Sequence, residues 1–175
     1  AAIDIIKEGL EILPDDDVLN DEYEKYEEYE PVLLSEMDTF YSDYEDWSNG
    51  GKENIQSVKD KLGKTHENCI VYWYGYEDSK DIYVLDKKYS KFTGTIFVPD
   101  SRQSKIDDWY HDDPYYFSIY GDDKLLYKSP KMISTQYPVD FSIDISGVDQ
   151  LKINWNGGAC TWDYEIGLSN AYISK

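Results

Sequence analysis

From residue 65 to the C-terminus, no stretch of useful length repeats its apolar residues at helical spacing. The apolar runs are short and bounded by Gly, Pro, Asp or Ser. The cleanest is "YPVDFSIDIS", which sets Val139, Phe141, Ile143 and Ile145 on one side and Asp140, Ser142 and Asp144 on the other. Successive side chains of a strand point to opposite faces, so this pattern describes a strand with one dry and one wet face. "ENCIVYWYGY" alternates Cys69, Val71 and Trp73 with Ile70, Tyr72 and Tyr74. "KFTGTIFVP" places Phe92, Gly94, Ile96 and Val98 opposite Thr93, Thr95 and Phe97. "DIYVLD", "LKINW" and "IGLSNAYIS" add further strands. "YYFSIY" and "LLYKS" are joined by Gly121-Asp122-Asp123-Lys124, residue types that accept the positive φ of a tight reversal. Eight or nine such strands predict an antiparallel sandwich or barrel, with sheets wet on one face. Only 52–62, "KENIQSVKDKL", is expected to depart from strand, as one or two helical turns or an irregular loop.

The first thirty residues differ. Ile3, Ile6, Leu10 and Leu13 recur at helical spacing, and Pro14 ends that helix. The stretch that follows places Tyr23, Tyr26 and Tyr29 among carboxylates, and charge of this density predicts a solvated, mobile linker. The expected organisation is therefore a short helix and acidic linker over 1–30, followed by one β domain over 31–175. A domain of that size can bury a core without staples.

Twelve carboxylates against Lys7 and Lys25 give residues 1–30 a net −10 of the chain's −19. That balance argues against nucleic acid and anionic membrane as partners, since both are bound through clustered Lys and Arg. The plain reading of the charge is solubility; calcium affinity is the sharper one, because hard cations take several oxygen ligands. No apolar run reaches 18 residues, so no spanning helix is expected. A secretion signal is expected to be absent from this sequence or already removed. Cys69 and Cys160 are 91 residues apart and outside any CxxC, which leaves a single disulfide and two buried thiols both open. With His66 and His111 they make no metal-ligand pattern.

"YVLDKKYSKFTGTIFVPDSR", "FSIYGDDKLLYKSPKM", "PVDFSIDISGVDQLKINW" and "GLSNAYISK" occur in that order. Together they resemble the NPCBM/NEW2 family of carbohydrate-binding modules, found in secreted bacterial glycosidases and surface proteins. "PVLLSEMDTFY" looks like the family's opening strand, so the resemblance covers about 31–175. It implies a jelly-roll β-sandwich that binds glycan without catalysis, beside other domains of a larger extracellular or cell-surface protein. It implies no required cofactor, although some related modules carry structural calcium. Two departures stand out. The turn holds Asp123 where the family often has Gly, and "SKIDDWYHDDPYY", 104–116, matches no family motif, so no sugar-contacting residue transfers there. The matched blocks are strands and turns, which speak for the fold more than for the site.

Function on a sandwich resides in its loops or on an exposed sheet face. Holding a sugar takes a flat ring against its C–H face and polar groups around its hydroxyl rim. Residues 107–113 offer Trp109 and Tyr110 beside Asp112; a tryptophan so flanked by charge is not expected to be fully buried. The alternative for this loop is packing on its own side chains. Residues 154–165 offer Trp162, Asp163 and Tyr164 after a Gly-Gly turn, whereas Trp155 alternates with Leu151 and Ile153 and reads as core. In 72–78, Trp73 aligns with Val71 and also reads as core, with Tyr74 and Tyr76 as exposed candidates or as cross-strand packing. Trp47 is a fourth candidate. His111 beside Asp112 and Asp113 reads as a solvated imidazole, since no further ligand or base can be named. The GxSxG, HExxH, P-loop and EF-hand patterns are missing. The predicted protein is a monomeric, non-catalytic glycan-binding module. A protein-interaction or spacer module of a surface assembly is the alternative, and a small glycosidase the third.

Overall fold

The computed structural model describes residues 2–44, 51–73, 79–100, 116–132, 136–156 and 165–175. Among them two helices, α1 (Ala2–Ile12) and α2 (Asp17–Glu27), precede eleven strands. The strands are β1 (Val32–Leu33), β2 (Tyr41–Ser42), β3 (Gly51–Lys59), β4 (Thr65–Trp73), β5 (Lys80–Val84), β6 (Lys91–Phe97), β7 (Tyr116–Gly121), β8 (Lys124–Lys128), β9 (Val139–Asp144), β10 (Gln150–Asn156) and β11 (Glu165–Ser174). They form two sheets, ordered β3-β4-β11-β6-β9 with β1 beside β11, and β2-β5-β10-β7-β8, here called sheets A and B. Every pairing is antiparallel. Two separate sheets resolve the sandwich-or-barrel choice in favour of the sandwich.

The alternation behaves as its periodicity dictates. Phe141 and Ile145 of the β9 region are buried with Val139 and Ile143 packed beside them, while Asp140, Ser142 and Asp144 are exposed. Leu151, Ile153 and Trp155 enter the same core, facing Phe92, Ile96, Leu168 and Ile173 of sheet A. Each such side chain, fully buried, contributes roughly 1.5–3 kcal/mol. The reversal between β7 and β8 has Asp122 at φ 48° and Asp123 at φ 65°. The Asp122 carboxylate also accepts the backbone N–H of Asp149 at 3.1 Å and of Gln150 at 2.9 Å, tying the turn to β10.

Three readings need correction. Residues 17–27 are helix α2 rather than linker. Asp16 caps it, accepting from Leu19 N at 3.0 Å, and the Leu19 side chain lies against Gly9, where a Cβ would come within 3.0 Å. A cap and a glycine-permitted close contact outweigh like-charge repulsion that water screens. Residues 51–59 are strand β3, not helical turns or loop. β3 is an edge strand whose one strand partner in the sheet is β4, so it needs no continuous apolar face. Trp73 does not belong to the inter-sheet core, and Phe97 faces away from that core, as its alternation with Phe92 and Ile96 implied. Phe97 joins Cys69 and Val71 in a small separate cluster with Ile55 and Val58 packed against it; this is the outer side of sheet A. Trp73 shares that side and is half-buried. Cys69 is a free, buried thiol, and burial pushes its pKa up to about 11. Cys160 lies outside the described residues.

Candidate functional site

Backbone register assembles one end of the sandwich. In sheet A, Trp73 pairs with both Gly51 and Glu165, and two residues further on Gly167 pairs with Phe97, beside the Ile96–Val139 pair. In sheet B, Lys80 pairs with Asn154, Asn156 with Tyr116 and Asn154 with Ser118, and Ser118 with Lys128. The strand termini flanking 45–50, 74–78, 133–135 and 157–164, with Tyr116 after 101–115, therefore gather at one end, while the residues before 101–115 leave it, 98–100 bonding to 59–61. The reversals at 60–64, 121–124 and 145–149 occupy the other.

A buried polar network ties the two sheets at the loop-bearing end. Asp81 of β5 is fully buried. Its Oδ2 accepts from Lys52 Nζ at 2.9 Å, from the Tyr72 hydroxyl at 3.1 Å and from the Tyr83 hydroxyl at 3.4 Å. Lys52 also donates to Thr39 Oγ1 at 3.0 Å. The Tyr44 hydroxyl donates to the Ser79 carbonyl at 2.9 Å, and Asn154 donates to the same carbonyl at 2.8 Å. Burial, with the Asp81 charge nearby, raises the Tyr72 and Tyr83 hydroxyls above the ordinary tyrosine range, so both stay protonated as donors. β3, β4, β5 and β10 are thus held together next to the strand termini.

Trp109, Tyr110 and Asp112, and Trp162, Asp163 and Tyr164, all lie outside the described residues, as do Trp47, Tyr74, Tyr76 and His111. The 157–164 connection, with Trp162, Asp163 and Tyr164, is flanked on both sides by strand termini of this end, whereas 101–115, with Trp109, Tyr110 and Asp112, starts from residues 98–100 beside the 60–64 turn and rejoins the sheet at this end through Tyr116. Trp155 is core, as its alternation required, at 2% exposure. The described residues add two rings, Tyr137, which sequence reasoning passed over, and Trp73, which it read as core. Tyr137, before β9, is 73% exposed. Trp73 lies so close over Gly51 that a Cβ there would fall 2.4 Å from its ring. Its neighbour across the sheet is Glu165. The Gly50-Gly51 pair before "KENIQ" was the available signal for a ring packed on bare backbone.

The structure also joins Asp60, His66 and Ser169. His66 Nε2 lies 3.0 Å from Asp60 Oδ2 and Nδ1 lies 3.3 Å from Ser169 Oγ. The imidazole stacks on Phe97 at 4.0 Å between centroids. These are the residue types of a nucleophile, base and orienting acid, but Ser169 is 0% exposed, and Asp60 and His66 are also buried. A substrate cannot reach that hydroxyl, and the trio serves to lock β4 to β11 and the 60–64 turn. Asp60 accepts the backbone N–H of Leu62 and of Lys64, each at 2.9 Å. Burial by itself would raise its carboxyl; the hydrogen bonds from His66, Lys64 and Leu62 overcome that and hold it below the usual value. Among the described residues no group of three or more His, Cys, Asp or Glu side chains is placed to hold a metal ion, and no helix is long and apolar enough to cross a membrane.

A family model described as the NPCBM/NEW2 domain matches residues 76–164, an interval that contains all six candidate contact residues. No curated protein matches the chain. Among solved structures, it resembles CBM51 from Clostridium perfringens GH95 in complex with methyl-galactose, with 16% identity, TM-score 0.64, and coverage of 83% of this chain and 100% of that one. It also resembles the tandem CBM51 modules of Sp3GH98, the family 98 glycoside hydrolase from Streptococcus pneumoniae, with 15% identity, TM-score 0.67, and coverage of 82% of this chain and 46% of that one. CBM51-2 in complex with GlcNAc and INT domains from Clostridium perfringens ZmpB aligns with 12% identity, TM-score 0.62, and coverage of 83% and 32%. At such identities the likeness is one of fold.

Proposed function

The chain belongs to the NPCBM/NEW2 domain family, and on that premise we propose that residues 31–175 act as a monomeric, non-catalytic glycan-binding module of a larger extracellular bacterial protein. The loop-bearing end is the binding end. Trp109 and Trp162 supply rings for a sugar's C–H face, with Tyr110 and Tyr164 beside them, and Asp112 and Asp163 accept from its hydroxyls. What supports this reading is the register that brings the termini flanking 157–164, 45–50 and 74–78, and Tyr116 at the close of 101–115, to a single end. Two of the fold neighbours were solved with sugars bound, methyl-galactose in one and GlcNAc in the other.

Binding of this kind is weak per site and gains by tethering an enzyme to a polymer. A glycan array identifies the sugar. Affinity electrophoresis on a polysaccharide that carries it then tests the residues. Trp109→Ala and Trp162→Ala should each abolish retention while thermal unfolding stays within a degree or two of the parent, roughly what an exposed substitution costs. Unchanged retention in both variants would remove these residues from the site. Running the array with a chelator tests the structural calcium: loss of signal together with a lowered unfolding temperature is the outcome calcium requires.

The protein-interaction reading keeps one observation in its favour. The α1–α2 hairpin exposes Ile5 at 71%, Ile12 at 78% and Val18 at 71%. Isoleucines left open on a helix suit a contact with a neighbouring domain, and a blank array would shift the balance to that role.

A further inference from the structure

The outer face of sheet B carries a chemistry that the proposed loop site does not use. Strand order and register lay its outward side chains in two rows. One row runs Lys80, Asn154, Ser118, Lys128 across β5, β10, β7 and β8. The next runs Tyr41, Ile82, Lys152, Tyr120, Leu125 across all five strands. Each lysine sits over a tyrosine ring: Lys128 over Tyr116 at 4.0 Å, Lys152 over Tyr120 at 4.6 Å and Lys80 over Tyr41 at 5.5 Å. The ring's quadrupole attracts the ammonium and narrows the rotamers of an otherwise mobile side chain. A ring face covered by an ammonium is closed to a sugar's C–H face. Here the tyrosines present fixed cations instead of stacking platforms.

Those cations are only loosely neutralised. Lys128 has no carboxylate partner among the described residues. Lys152 meets Asp123 at 2.8 Å, but that aspartate's side chain is 91% exposed, and Lys80 meets Asp43 at 3.6 Å. The Lys152–Asp123 pair, open to water on its aspartate side, exchanges readily for another anion, and the Lys80–Asp43 pair is long. The rest of the molecule has the opposite sign. Glu53, Asp140 and Asp144 are exposed on sheet A, and the acidic hairpin emerges at the far end, where Glu28 meets Lys175 at 2.9 Å. Charges farther away than about 8 Å are largely screened at physiological salt, so an anion on this face meets the lysines more than it meets the net −19.

We propose that the outer face of sheet B binds acidic polysaccharide, with the ammonium groups of Lys128, Lys152 and Lys80 taking the carboxylate or sulfate groups of successive sugar units. Lys80 and Lys128 lie three strand spacings apart, about 14 Å, which suits a chain laid across the strands rather than one small anion. Asn154 stands between them in the row, where a sugar hydroxyl would pass. The inference rests on the glycan-binding reading but uses a different surface, so the two fail separately.

The test is affinity electrophoresis of the whole chain in gels containing polygalacturonate, dextran sulfate, neutral dextran or single-stranded DNA, each at low and physiological salt. Retardation is expected with polygalacturonate, dextran sulfate or both, and the arm that responds names carboxylate or sulfate. Salt should weaken it. Lys128→Gln and Lys152→Gln should each reduce affinity roughly tenfold, about the worth of one charge-assisted hydrogen bond, and the double variant should migrate as it does in neutral dextran. Trp109→Ala and Trp162→Ala should leave this retardation intact while abolishing retention on the array-selected glycan. Free migration in both acidic gels would overturn the proposal. So would equal retardation of the double variant, or equal retardation by DNA. Glutamine keeps much of the lysine stem at exposed Lys128 and half-buried Lys152, and an unchanged unfolding temperature in the double variant excludes misfolding as the cause.

Discussion

Replacing Lys52 with methionine should destabilise the sandwich by about 3–5 kcal/mol, the usual cost of stranding one member of a buried ion pair. The Asp81 side chain is 0% exposed and that of Lys52 only 19%. Methionine nearly matches the lysine stem, so packing is kept and only the ammonium is lost. Asp81 Oδ2 then keeps the Tyr72 and Tyr83 hydroxyls at 3.1 and 3.4 Å, while Oδ1, buried without a hydrogen-bond partner, gains none. Two neutral donors do not replace a cation at 2.9 Å in a medium that screens poorly. For a domain of this size each kcal/mol moves Tm by about 2–4 °C, so thermal unfolding at neutral pH should show a fall of roughly 6–20 °C. Adding Asp81→Asn removes the second charge but keeps an acceptor for the tyrosines, and should recover most of the loss. A fall of less than about 3 °C, or a double variant no better than Lys52→Met, would refute the view that this pair clamps the loop-bearing end.

Two further outcomes are expected elsewhere in sheet A. Gly167→Ala would put a Cβ 2.3 Å from the Phe97 ring, which is itself pinned against His66; chemical denaturation should register a loss of about 1–3 kcal/mol or more, and a loss under 0.5 kcal/mol would show that Phe97 can move aside. Asp60, whose folded pKa is depressed, stabilises the fold above its unfolded value of about 3.9, and that stabilisation is lost as pH falls from there through the folded value. Asp60→Asn should therefore lower stability at pH 7 yet flatten its decline below pH 4, and parallel pH curves for the two proteins would contradict the assignment.

Alternation along the chain determined the class of this protein. Val139 to Ile145 could be read as a one-sided strand from the residues alone, and so could Leu151, Ile153 and Trp155, because a period of two leaves no choice of face once one side is apolar. The reversal at 121–124 was equally plain, since few residue types accept positive φ. The N-terminal second helix and strand β3 were less legible. In both, polar residues are kept in place by what lies alongside, Leu19 on Gly9 in one case and the β4 backbone in the other, and neither neighbour shows in local composition. The site divides the same way. The candidate rings were visible as residue types in connecting segments, but where those segments leave the sheets follows only from pairings such as Trp73 with Gly51 and Glu165, or Pro99 with Asp60. Tertiary structure alone brought Asp60 and His66 to Ser169, more than a hundred residues on, and gathered three scattered lysines onto a single face. Burial and strand order act between residues that are far apart in the chain, so only the closed fold could decide which charges are sealed inside and which are held out to a ligand.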